Sequence, residues 1–154
     1  MRSIRTSQPP PRGAPRAISW VNEYDAAMCA FRGDRDARKL RQRLGVRGWR
    51  AGGCHAFATA LSEVLGGMLY GLGPSPAIAD HTVLRFHDLY LDSEGTHTAA
   101  EILAEYESLS GSKMQLFPLD EYARTGELGT PALQIGIRHV LRSYLDPLEE
   151  IPKQ

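Results

Sequence analysis

Cysteine is scarce in this chain: its 154 residues include two, Cys29 and Cys54. Two thiols cannot build a disulfide framework, and no C-x-x-C pair is spelled, which excludes a disulfide-stapled scaffold and a zinc knuckle. Long apolar runs are also missing. The least polar stretch, Val64 to Gly73, is ten residues long and carries four glycines, too short and too broken to cross a bilayer. After Arg2 and Arg5 the N-terminus turns to proline rather than to an apolar segment, so no secretory signal is read, and a cytoplasmic protein with no membrane role is expected. Net charge is absent too, with 18 Lys and Arg against 18 Asp and Glu. That excludes a uniformly basic nucleic-acid binder and an acidic tail protein. The zero is a sum of opposites: residues 1–50 hold twelve basic and four acidic side chains, and residues 51–154 hold six and fourteen.

What is present is globular composition, 42% hydrophobic and 23% charged, at a length that supports one compact core. Residues 1–17 combine Pro9, Pro10, Pro11 and Pro15 with four arginines and no acid, which predicts a flexible basic arm ahead of one domain over 18–150. Trp20, Val21, Tyr24, Ala27, Met28 and Phe31 recur at helical spacing up to Gly33. A basic second helix is predicted from Asp34 to Leu44 with Gly45 as its stop. Cys54, Phe57, Ala58, Leu61, Leu65 and Met68 then form an apolar stripe at i, i+3, i+4, i+7, i+11 and i+14, predicting a third helix headed by the thiol.

A loop containing Gly71, Gly73, Pro74 and Pro76 is expected to lead into His81–Asp92, read as two short strands. With His87-Asp88 as a two-residue turn, Phe86 pairs with Leu89, Arg85 with Tyr90, Leu84 with Leu91 and Val83 with Asp92. Thr98-Ala-Ala-Glu101 spells a capping box for a helix to about Leu109. Gln115–Leu119 reads as a strand, and Thr130-Pro131 opens a last helix with Leu133, Ile137, Val140, Leu141 and Tyr144 inward. The order of elements predicts an α+β fold.

A thiol in the first turn of a helix faces the positive end of the backbone dipole, which favours thiolate, and the same N–H groups suit an oxyanion. Gly52 and Gly53 leave no side chain in the approach, so Gly53 is a candidate part of the oxyanion site. A nucleophile needs a base, and the hairpin supplies one. His81, Val83 and Arg85 alternate onto one strand face, and Asp92, opposite Val83, points to the same face, roughly 7 Å from His81 across the strands. A carboxylate there would orient the imidazole and stabilise its cation.

These residues resemble a family. Gly52-Gly53-Cys54-His55-Ala56-Phe57-Ala58 is similar to the G-x-C-x-x-F-A stretch around the nucleophile of transglutaminase-like proteins, within the papain-like cysteine peptidase superfamily. The order Cys, His at a strand start, Asp on the next strand also resembles that superfamily, over roughly residues 50–95. The resemblance implies Cys54 as nucleophile, His81 as general base and then acid, and Asp92 as the orienting group. It implies a nucleophile-bearing helix packed on a small antiparallel sheet, and a thiol enzyme needing no cofactor and acting on a protein or peptide substrate. The chain departs from the family in having His55 where many transglutaminases have Trp, and in its short spacings. No glutamine stands where papain-like peptidases keep an oxyanion donor, which leaves the indole N–H of Trp49 or Trp20 as the second candidate.

Other residues have plainer readings. Cys29, between Met28 and Phe31, is expected in the core. His55 shares its helix face with Thr59, Ser62 and Gly66 and is expected in solvent, a reserve for proton transfer. His87 reads as a turn residue, His97 as a loop residue and His139 as the flank of the last helix. The Cys and His residues lack metal-ligand spacing, so no metal is expected. The segment 32–50 is read as a basic helix. Its Arg38, Arg41 and Arg43 are candidates to hold an acidic partner or nucleic acid, the alternative to catalysis being a binding or inhibitory module.

Overall fold

The computed structural model describes residues 19–119 and 127–152, so the basic arm expected over 1–17 lies outside the described residues. Five helices, α1 (Ser19–Arg32), α2 (Arg35–Leu44), α3 (Cys54–Leu65), α4 (Ala99–Ser110) and α5 (Pro131–Leu145), accompany five strands. The strands are β1 (Met68–Gly73), β2 (His81–Phe86), β3 (Leu89–Asp92), β4 (Gly95–His97) and β5 (Gln115–Pro118). They form one antiparallel sheet in the order β4-β3-β2-β1-β5, and the fold is α+β.

Local chemistry sets most boundaries. Asp34 caps α2 by accepting from the Ala37 N–H, and Gly45 ends it in the left-handed region. The Thr98/Glu101 capping box opens α4. Thr130 accepts from the Leu133 N–H with Pro131 in the first turn of α5. His87 and Asp88 both adopt positive φ, 47° and 63°, the mirror-image turn that matches strand twist. It locks Phe86 opposite Leu89, Arg85 opposite Tyr90 and Leu84 opposite Leu91.

Three expectations about elements are corrected. The third helix does not reach Met68: Gly66 and Gly67 take φ of 81° and 88°, α3 stops at Leu65, and Met68 starts β1 with 58% of its surface exposed. The supposed loop at Gly71 and Gly73 is the end of β1, an interior strand between β2 and β5. Gly71 is needed there because a Cβ would lie 2.4 Å from the Phe117 ring. Segment 32–50 is not one helix but the end of α1, all of α2 and a turning loop.

The sheet separates two apolar clusters, as alternation along a strand requires. Leu84, Phe86 and Leu91 face the larger one, with Tyr24, Met28 and Phe31 of α1, Phe57 and Leu61 of α3 and Ile137 and Leu141 of α5. Val83, Tyr90 and Leu72 face the smaller one, covered by Ile102 of α4 and by Met114. With Tyr24, Met28 and Phe31 turned inward, Cys29 falls on the outer face of α1 and is exposed, correcting its assignment to the core.

Candidate active site

Cys54 opens α3, with Gly53 as an N-cap that makes no side-chain capping bond. The first turn of that helix therefore presents its backbone N–H groups around the thiol. Gly53 owes its identity to the loop before it: a Cβ there would lie 2.9 Å from the Gly48 carbonyl oxygen and 3.1 Å from the Trp49 Cα. Gly52 has φ of 97°, which glycine alone adopts readily. These glycines fold the loop 48–53 tightly against the head of α3, and the Gly53 N–H closes it by donating to Gly48 O at 3.1 Å.

His81 stands at the start of β2, fully buried, and Asp92 at the end of β3, 2% exposed. The hairpin brings His81 Nε2 to 3.0 Å from Asp92 Oδ2. A carboxylate only accepts, so Nε2 carries the proton and Nδ1 is the basic nitrogen. The Cys54 thiol acts on the same ring. Burial disfavours the imidazolium, but hydrogen bonds to Asp92 and Cys54 and their negative charge outweigh burial and hold the His81 pKa above its ordinary value.

Asp92 collects more than its histidine. Arg50 Nε donates to Oδ2 at 2.8 Å, His97 Nε2 to Oδ1 at 2.9 Å, and the Glu94 N–H to Oδ1 at 2.9 Å. Its backbone carbonyl accepts from the buried Tyr24 hydroxyl at 2.9 Å. Burial would raise its pKa, yet the bonds from His81 and His97 and the charges of His97 and Arg50 hold it far below the usual carboxylate range. Arg50 also pairs with Glu105 of α4. Tyr106, the next residue of α4, stacks on the His81 ring at 4.8 Å between centroids and 15° between planes, with the Arg50 guanidinium 5.6 Å over the tyrosine ring. Burial, opposed by the Arg50 charge, raises the Tyr106 pKa and keeps the hydroxyl neutral.

The structure thus brings Cys54, His81 and Asp92 together and adds Arg50, His97, Glu105 and Tyr106. His97 is not in a loop: it ends β4, opposite Tyr90. The turn-like Asp92-Ser93-Glu94-Gly95 between two strand-forming stretches is the sequence signal for that second hairpin. Arg50 has no such signal, since its partners lie 42 and 55 residues away.

Trp49 and Trp20 are both buried: Trp49 packs against Phe31 and Phe57, and Trp20 edge-on against Phe86. His55 is 1% exposed, not in solvent, because α3 is enclosed by β2 on one side and α5 on another. Gln134 of α5 also reaches α3, donating to the Ala56 carbonyl at 3.2 Å. Arg38 and Arg43 are exposed on different faces of α2. Arg41 is half-buried and donates to the Arg47 carbonyl. Among the described residues no group of three or more His, Cys, Asp and Glu is arranged to hold a metal ion, and no helix is long and apolar enough to cross a membrane. Compared with protein-family models, with curated proteins and with solved structures, the chain matches none.

Proposed function

We propose that the chain is a thiol-dependent acyl-transfer enzyme of the peptidase, deamidase or transglutaminase type, built on a papain-like core and acting on an amide or isopeptide bond. The observation that carries this reading is the double engagement of the His81 ring, with Nε2–H on Asp92 and the remaining nitrogen available to the Cys54 thiol. In the first half-reaction His81 takes the proton of Cys54 Sγ, and the sulfur forms a bond to the amide carbon. The negative carbonyl oxygen is stabilised by N–H groups of the first turn of α3. The C–N bond then breaks, His81 returns the proton to the departing amine, and a thioester remains. Water or a second amine, deprotonated by His81, attacks that carbon and releases Cys54. Asp92 keeps the imidazole in its Nε2–H form, and Tyr106 covers one face of the ring.

The test is the alkylation rate of Cys54 against pH, followed by peptide mass to separate it from the exposed Cys29. The expected midpoint lies below the free-thiol value of about 8.5 and returns toward it in His81→Ala. A midpoint at or above that value, unmoved by the substitution, rules the reading out.

The exposure of Arg38 and Arg43 favours a second reading, a non-catalytic module that holds an acidic partner or nucleic acid through Arg38, Arg41 and Arg43. Its mark is binding that falls steeply with salt and is indifferent to Cys54→Ala.

A further inference from the structure

Behind the loop that carries Arg50 lies a cavity of about 310 Å³ walled by Arg32, Arg38, Arg41, Arg47 and Arg50, with Glu94 as its only acid. We infer that this cavity binds the phosphate groups of a small phosphorylated molecule, of the size of a diphosphate or a nucleoside diphosphate. The inference does not depend on the acyl-transfer reading.

Charge accounting within the cavity carries the argument. Arg50 is neutralised by Asp92 and Glu105, and Arg32 faces Glu94 at 3.9 Å. Arg41 is held by a carbonyl, that of Arg47, at 2.5 Å, a contact that fixes the guanidinium while leaving its charge uncompensated. Arg32 is anchored in the same way, its Nη1 donating to Ser93 O at 2.6 Å. Arg38 and Arg47 make no ion pair among the described residues. Three positive charges, on Arg38, Arg41 and Arg47, therefore converge with no carboxylate to balance them. A single carboxylate would leave most of that charge unmatched, whereas a diphosphate matches it and offers oxygens for the forked N–H groups of several guanidiniums.

Size and shape point the same way. The volume is about ten times the liquid volume of a water molecule, enough for a diphosphate with room beyond it. An extended nucleic-acid strand needs a groove with aromatic platforms. The aromatic side chain in this wall, Trp49, is 7% exposed and packed on Phe31 and Phe57.

Calorimetric titration of the full chain with pyrophosphate, ADP, inorganic phosphate and a phosphate-matched single-stranded oligonucleotide tests the inference. Pyrophosphate and ADP are expected to bind at least tenfold tighter than inorganic phosphate. Arg38→Gln and Arg47→Gln should each weaken them about tenfold or more; glutamine at 47 keeps the backbone carbonyl that anchors Arg41. Arg43→Gln, on another wall of α2 near Gly136 and His139, should leave them unchanged, as should Cys54→Ala. Urea midpoints equal to wild type establish that the glutamine variants are folded. Absence of pyrophosphate binding overturns the inference. So does an equal loss in Arg43→Gln, which would reveal general charge attraction. Loss in Cys54→Ala would put the ligand at the thiol instead. An affinity for the oligonucleotide that exceeds that for ADP and grows with strand length would assign the arginines to nucleic acid.

Discussion

Asp92 concentrates more polar contacts than any other described side chain at the site, and its neighbours divide the work. Its Oδ2 serves His81 and Arg50, and its Oδ1 serves His97 and the Glu94 N–H. Removing it leaves a buried imidazole and a largely buried guanidinium without their shared anion. Asp92→Ala is therefore expected to cost about 3–5 kcal/mol, read from urea unfolding. The two titrations have opposite signs. A carboxyl depressed in the folded state contributes stability that is whole above its unfolded value of about 3.9 and is lost as pH falls toward the folded one. The raised His81 contributes stability that is whole below about pH 6.5 and is lost as pH rises through its folded value. The urea midpoint of the wild type should accordingly decline above about pH 6.5, and His81→Ala should flatten that decline. Parallel curves for the two proteins would show that the imidazole carries no such linkage.

Among the elements, the β2–β3 hairpin positions the base and its carboxylate, and its turn is the part of it built from suboptimal residues. His87 and Asp88 hold positive φ without being glycine. Asn-Gly suits the same turn type, so the double substitution His87→Asn, Asp88→Gly should raise stability by about 0.5–1 kcal/mol and leave the alkylation profile of Cys54 unaltered. A drop in stability would mean that the His87 ring, edge-on to Phe86 at 4.5 Å, matters more than the backbone. The hairpin was legible in the sequence because its signals are contiguous: alternation on each side of a two-residue turn, with His81 and Asp92 at positions that put them on one face. Strand β1 was hidden because Met68 continues the helical stripe of α3 by count. The two glycines before it, which break that stripe through positive φ, were the overlooked signal.

At the scale of the whole molecule, the basic first third of the chain is matched only in part by the acidic remainder. Arg50 reaches Asp92 and Glu105, and Arg32 reaches Glu94, while Arg38, Arg41 and Arg47 keep their charge. The larger apolar cluster joins α1, α3 and α5 on one face of the sheet and positions the head of α3 against the hairpin. Ile137, fully buried in that cluster, links the last helix to it. Ile137→Ala should cost about 2–5 kcal/mol. Its far-UV dichroism and Cys54 accessibility should be lost in one transition in urea, because the thiol depends on the same core. Separate transitions would mean that the thiol's surroundings stand without α5.

The sequence by itself determined what neighbouring residues control: the helix caps at Asp34, Thr98 and Thr130, the turn and register of the hairpin, and the pairing of His81 with Asp92. Their physics is local, set by backbone dihedrals, capping bonds and alternation within a dozen residues. Only the tertiary structure decided the rest. It made α3 apolar on nearly all sides, burying His55; it turned Cys29 outward; and it brought Arg50, His97 and Tyr106 around the triad. It also gathered five arginines from two helices and a loop into one cavity. Those outcomes depend on which faces meet when the core closes, and contacts between residues tens of positions apart leave no periodicity along the chain.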